Sequence, residues 1–444
     1  MCILCEHESS KEFTSITAIL CENGCLVIQK IPQLNKLREL SCNKFQQIIE
    51  IPPLNKLQKL TCDDCPQLKI IHQLEQLEYL SCSNCIFLSE IPQLNKLQKL
   101  TCINCISLSE IPQLNKLQKL TCDNCCQLKI IHKLEQLQYL SCSGCIYLSE
   151  IPQLKKLQKL FCSNCIYLSE IPRLKKLSSL ACCGCHIRVI PRILELHELM
   201  CSACDYIEKI PQLNKLESLV CCRCPQLKEI SQLNKLKTLH CDDCPLINKI
   251  PSLNELKLLS CSYCPLLKEI PQLNELETLY CNHCSSIENI SHLPKLRNLH
   301  CYRCVSLKKI PQLNNLQRLT CFGCLLLEYI PRLPKLQNLD CSFNPILKSI
   351  DKCEKLKNID CRNCPLIEHI AFSEELEVIY CNGCPFLFIP YKFRVKFGIT
   401  RTNYMYFKLR QIQRKYRLKI LAKKILNQIP GNVLETNKMI TDYL

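Results

Sequence analysis

The chain has 444 residues, 47% of them apolar, with 42 cysteines, 7 glycines, no tryptophan and a formal charge of +17. That much apolar text buries a large core and excludes global disorder. Scarce glycine, with neither G-x-G-x-x-G nor G-x-x-x-x-G-K-[ST] present, excludes a glycine-rich phosphate loop.

The opening stretch, MCILCEHESSKEF, meets two acids and a histidine within eight residues and lacks the apolar centre of a secretory signal. No run approaches the roughly 20 apolar residues that span a bilayer. A cytoplasmic chain with reduced thiols is expected, with residues 1–14 as an N-terminal cap.

From residue 15 to 384 the chain repeats one phrase, L-x-x-L-x-x-L-x-C-x-x-C-x-x-L-x-x-I-P-x. First cysteines fall every 20 residues from Cys42 to Cys182; one residue is then lost, and the series resumes at Cys201 and runs to Cys381. Thr61 to Leu120 and Thr121 to Leu180 are near-duplicates, so the array reads as copied blocks in which a site of unique residues is not expected. In one copy the apolar positions are Leu94, Leu97, Leu100, Cys102, Cys105, Leu108 and Ile111. Leu100-x-Cys102 alternates as a short strand with both side chains inward. Pro112 stops a helix, and 20 residues leave no room for a strand, a long helix and two turns. Each unit is therefore expected to be one flat coil with one short parallel strand. Its apolar edge is covered only by stacking.

This pattern resembles the leucine-rich repeat family, whose L-x-x-L-x-L-x-x-N core appears as Leu97, Leu100, Cys102 and Cys105. The resemblance implies an α/β solenoid with few or no long helices in the repeats and a concave parallel sheet that binds protein partners. The cysteine-studded, Lys/Asn/Ile-rich text is also similar to repeat proteins of giant amoeba-infecting viruses, which would place it in host cytoplasm. One departure is systematic: Cys stands where the family has an inward Leu, and again where it has Asn. The family's Asn bonds loop carbonyls, and a thiol is a weaker donor, so how those carbonyls are satisfied is left open.

Read locally, each C-x-x-C is half a zinc site. The spacing instead falls on inward positions, no histidine recurs at a fixed place, and Phe45 and Asn344 substitute for the second cysteine. A core filler tolerates Phe; a ligand does not. Buried neutral thiols are expected, with no metal and no cofactor. A zinc-rich or redox cysteine protein is the distant competitor. Cys126, Cys183, Cys222 and Cys21 read as off-phase, and Cys353 occupies a leucine position.

The exposed strand position reads Ser41, Thr61, Ser81, Thr101, Thr121 and Ser141 at first, and grows varied toward the C-terminus. His240, Tyr263, Tyr280, His283, His300, Tyr302, Arg303, Phe322, Asp340 and Asp360 are the candidate partner-binding residues, being of the types that anchor interfaces. Cys185 beside His186 is core-phase, and no catalytic residue is assigned.

After Cys384 the text changes. From Pro385 to Leu444 there are 13 Lys/Arg and 2 Asp/Glu, a net of +11 (13 − 2). Residues 385–402 are expected to form a capping strand region, because Tyr391, Phe393, Val395 and Phe397 alternate with Lys392, Arg394 and Lys396. Residues 403–444 are expected to form a basic amphipathic helix and tail, the helix running from about Tyr404 to Asn427. Within it, Ile412, Gln413 and Arg417 resemble the start of an IQ motif, which implies a calmodulin-like partner as the alternative reading. Nucleic acid and membrane are disfavoured, since the basic residues occupy one helix rather than a long track.

Overall fold

The structure is a computed structural model that describes residues 16–21 and 28–396. The chain divides into two units, one ending at Cys264 and one beginning at Pro265.

In the first unit each coil gives one short strand, from Ala18–Cys21, Glu39–Cys42 and Lys59–Thr61 on to Thr238–His240 and Leu258–Ser260. The strands pair in parallel with like residues opposite: Leu80 beside Leu100, Leu100 beside Leu120, Leu120 beside Leu140. A slip of one residue would turn every leucine to solvent, so the pattern fixes the register. Cys102 N–H donates to Thr121 O and Gln118 N–H to Gln98 O, both at 2.8 Å, so backbone groups of one coil are satisfied by the next. Leu94, Leu97, Leu100, Cys102, Cys105, Leu108 and Ile111 are all fully buried. These are the positions that the repeat marks as inward.

Two irregular coils show how firmly the sheet holds its register. Cys21, read as off-phase, lies beside Cys42 in the sheet and is buried. The spacing from Cys21 to Cys42 is one residue longer than the usual 20. The coil from Cys182 to Cys201 is one residue shorter, yet Leu180 still pairs with Leu199, and Ile187 and Ile190 stay buried. The missing residue comes out of the turn after Cys185.

Some coils carry a second two-residue strand, which the expectation of a single strand did not include. In the first unit these pair as Glu50–Ile51 with Ile70–Ile71, Glu110–Ile111 with Ile130–Ile131, and Lys209–Ile210 with Glu229–Ile230. The cause lies in the residue that follows. His72, His132 and Ser231 donate their N–H to Ile51, Ile111 and Ile210 at 3.0–3.1 Å. Proline stands there in most coils and has no N–H, so the second ladder stops wherever Pro occurs.

The second unit repeats this architecture. Its strands are Thr278–Tyr280, Asn298–His300, Arg318–Thr320, Asn338–Asp340, Asn358–Asp360 and Val378–Tyr380. Tyr280 lies beside His300, His300 beside Thr320, Thr320 beside Asp340, and Asp340 beside Asp360. Its second ladders obey the same proline rule, with Ser291, Asp351 and Ala371 donating to Ile270, Ile330 and Ile350.

The capping strand expected within residues 385–402 is corrected: Tyr391–Lys396 is a short α-helix. Pro390 stands just before it, a favourable place for proline, and Phe393 N–H donates to Pro390 O at 3.0 Å. Phe393 is buried against the ring of Phe372 at 4.9 Å. Lys392 and Lys396, four apart and so on one helix side, reach Glu374 and the Leu376 carbonyl. These contacts with the last coil override the period-two pattern. The candidate cap at 1–14 and the tail at 403–444 lie outside the described residues. Among the described residues, no helix is long and apolar enough to cross a membrane.

Candidate partner-binding face

Along each strand the residue between leucine and cysteine points away from the core. In the first unit this row uses its polar groups internally. Ser81, Ser141 and Ser260 donate their hydroxyls to Asp63, Asp123 and Asp242 at 2.7 Å. The same carboxylates accept the N–H of Ser83, Ser143 and Ser262 at 2.7 Å.

The second unit builds its row from rings. Tyr280 and His300 stack with centroids 4.7 Å apart and planes 11° from parallel. One residue beyond the cysteine, Tyr302 and Phe322 stack at 4.7 Å and 4°. His283 meets Tyr302 edge-on at 5.2 Å and 83°. Centroid spacings of this size match the rise between neighbouring strands, so the register itself sets the rings against each other.

The residue just before the second cysteine adopts a left-handed backbone throughout. In the first unit Asp64, Asn84, Asn104 and Asn124 hold φ of 57–60°. These are the non-glycine types that tolerate it best. Their side chains also form a ladder, Asn84 to Asp64 and Asn104 to Asn84 at 2.7 Å, and Asn124 to Asn104 at 3.1 Å. The second unit places His283, Arg303 and Phe343 in the same conformation, with φ of 56–57°. Arg303 and Phe343 carry a backbone cost of roughly 1–2 kcal/mol each there.

Charge divides the second unit's face. Desolvation and the neighbouring Arg303 hold His283 below its ordinary pKa; desolvation and Arg318 do the same to His300. Cations thus crowd this end. Farther on, Asp360 is gripped by the Arg362 guanidinium at 2.6–3.0 Å, and Asp340 accepts the Ser342 hydroxyl at 2.7 Å. A shallow depression of about 380 Å³ lies over Arg318, Asn338, Asp340, Asn358, Asp360 and Tyr380.

Beneath the face, the second cysteines answer the question of the missing asparagines. Cys105 Sγ donates to Cys82 O at 3.0 Å, Cys125 to Cys102 O at 2.9 Å, and Cys145 to Cys122 O at 3.0 Å. The second unit continues in kind, with Cys304 on Cys281 O at 2.9 Å and Cys324 on Cys301 O at 3.1 Å. Asn344 performs the same task with its amide, on Cys321 O at 3.0 Å and Cys341 O at 2.9 Å. The thiols therefore form a donor ladder at the place where Asn344 stands in one coil. Phe45 is simply buried.

Burial pushes the Cys201 and Cys221 thiols well above their usual pKa, and Cys353 up to about 11. Neutral thiols are poor nucleophiles and poor metal ligands. Among the described residues no group of three or more His, Cys, Asp or Glu is arranged to hold a metal ion. Cys126, Cys183 and Cys222 are half-buried, as their phase predicts, and Cys353 is core.

Of the candidate residues, His240 and Tyr263 belong to the first unit. His240 is half-buried between Val220 and Ser260, and Tyr263 is exposed at φ 58°. Tyr280, His283, His300, Tyr302, Arg303 and Phe322 gather at one end of the second unit's face, while Asp340 and Asp360 lie at the other. Ile412, Gln413 and Arg417 lie outside the described residues. Sequence reasoning missed Arg318, which only the strand register brings beside His300, and Arg362, which grips Asp360 from two residues on in the same coil. It also missed a notch of about 650 Å³ beside the shortened coil, lined by Arg188, Val189, Tyr206 and Pro225. There the Arg188 guanidinium lies over the Tyr206 ring at 5.6 Å. The single lost residue was the signal for it.

Stacked coils with a leucine spine, one parallel strand per coil and an inward donor ladder define a parallel β-solenoid of about 20-residue repeats. No family profile and no curated protein matches the chain. Among solved structures, the chain is similar to a leucine-rich repeat protein from Bacteroides ovatus. The two share 16% identity over 84% of this chain and 81% of that one, with a TM-score of 0.33.

Proposed function

We propose that the chain is a non-enzymatic leucine-rich-repeat scaffold that holds a protein partner on its strand face, mainly on the second unit. The pair of ring stacks, Tyr280 on His300 and Tyr302 on Phe322, is the observation that carries this reading. Large rings fixed by register on a rigid sheet bring contact area at little ordering cost, and such residues dominate interface energies. On the first unit's strand face Tyr139 and Phe161 meet tilted at 43° with centroids 5.5 Å apart, a looser contact than the two parallel stacks. The first unit's His240 and Tyr263 are assigned a secondary role.

Affinity capture tests the proposal. Wild-type protein is expected to retain a partner that the Tyr280→Ala, His300→Ala double variant loses by tenfold or more, with the fold intact by circular dichroism. Truncation after Gly398 is expected to leave capture unchanged. Loss of capture on truncation, with the double variant still active, would move the function to the basic, IQ-like tail.

A further inference from the structure

Resting on that reading, we propose that the segment docked on the second unit is an acidic, extended peptide, held at the aromatic and cationic end of the strand face around Tyr302. Three features of the face point to it.

The first is the geometry of the rings. Tyr280 faces His300 and Tyr302 faces Phe322 in near-parallel planes, so each pair covers much of its own π surface. Stacking covers one face of each ring and leaves its edge, which carries the positive side of the aromatic quadrupole, open to a ligand. Edges of this kind attract anions. The outer faces suit a nucleobase as well, so single-stranded nucleic acid is the competing ligand.

The second is the placement of the cations. Arg303 follows the strand Asn298–His300, and Arg318 opens the next strand, Arg318–Thr320. The two residues therefore stand at opposite ends of the strands, with Arg318 close enough to His300 to act on its charge and also lining the depression over Asp340. At roughly 3.3 Å per residue, about five extended residues cross that width, with a carboxylate wanted near each end.

The third is the limit of the patch. Asp340 follows Thr320 in the strand row and repels a polyanion, so the footprint ends near Thr320.

The test uses the full chain and a fluorescein-labelled peptide of about twelve residues, alternating glutamate and leucine, read by fluorescence anisotropy at low salt. Binding is expected, weakened about tenfold by combined Arg303→Gly and Arg318→Gln and weakened further by added salt. Glycine suits the backbone at 303, so the variant keeps the coil, and Lys155→Gln in the first unit serves as the unchanged control. An affinity unaltered by the arginine variants overturns the proposal, because the peptide would then sit elsewhere, the basic tail included. So does an oligothymidylate of similar length that binds more tightly and is lost with the same arginines. A captured partner that is lost with Tyr280→Ala, His300→Ala but indifferent to both arginines would end this inference and leave the proposed function standing. If neither pair of substitutions altered capture, the proposed function itself would fall.

Discussion

Thr101 in the first unit and Thr320 in the second occupy the same place in their coils, flanked by the same buried leucine and the same buried cysteine. Around Thr101 the neighbouring outward residues are small hydroxyls; around Thr320 they are His300 and Asp340. The comparison teaches that a solenoid separates two demands. Its interior must repeat, because each inward side chain meets its own copy one coil away. Its strand face packs only along the row, as Ser81 does on Asp63 and Tyr280 on His300, so residues of many kinds can stand there. Function is therefore to be sought where the two units differ, and stability where they agree.

The largest expected effect tests where they agree. A buried thiol with a raised pKa keeps its proton in the folded chain at a pH where the unfolded chain, near 8.5, has lost it. That stabilisation is complete below about pH 8.5 and is lost as pH rises toward the folded values, of which Cys353 at about 11 is one. Each such thiol contributes roughly 1.4 kcal/mol per pH unit over that window. Because both units bury first cysteines whose pKa is raised, Cys201 and Cys221 in one and Cys301 and Cys321 in the other, urea midpoints are expected to fall steeply between pH 8.5 and 10 throughout the molecule. A flat profile would break the equivalence of the two interiors. Leu100→Ala and Leu299→Ala should likewise cost similar amounts, about 2–5 kcal/mol each by urea denaturation. A disparity beyond that range would show that the cores are not alike.

The donor ladder is probed within one coil of the second unit. Cys324→Ala removes the donor to Cys301 O and is expected to cost about 1–3 kcal/mol. Cys324→Asn should stay within about 1 kcal/mol of wild type, since Asn344 already fills that role one coil on. Cys321→Asn buries an amide at the leucine-like position and should cost more than about 2 kcal/mol. If the two asparagine variants behaved alike, the two cysteines of the repeat would not have distinct tasks.

The smallest effect sharpens the contrast between the faces. Phe343→Gly relieves a bulky side chain from a left-handed backbone and should stabilise by about 1 kcal/mol. Asn104→Gly gains less strain relief and loses its ladder bonds to Asn84 and Asn124, so it should be neutral or destabilising. Thermal denaturation of both variants decides this. Equal shifts would mean that the second unit carries no special backbone strain.

The coil, its strand and its inward residues were legible in the sequence, because apolar spacing alone states which side chains must meet. The second ladder was written there too, in the exchange of Pro92 and Pro112 for His72 and His132, but was not read: the signal is an N–H that proline lacks rather than a side chain. The left-handed row was equally visible as Asp64, Asn84, Asn104 and Asn124. Other features could not be read locally. The helix at Tyr391–Lys396 depends on Phe372 and Glu374, which lie in the preceding coil. The ring stacks depend on rotamers set by register, and the crowding of Arg318 on His300 joins residues from different coils.

The most direct measurement is native-state thiol alkylation mapped by mass spectrometry. Among the cysteines of the described residues, Cys126 is expected to react fastest in the folded protein and the half-buried Cys183, Cys222 and Cys381, whose pKa burial raises, more slowly, while ladder thiols such as Cys105, Cys125 and Cys324 label only on unfolding. Ladder thiols that label as fast as Cys126 under native conditions would contradict a core built on buried, carbonyl-bonded sulfur.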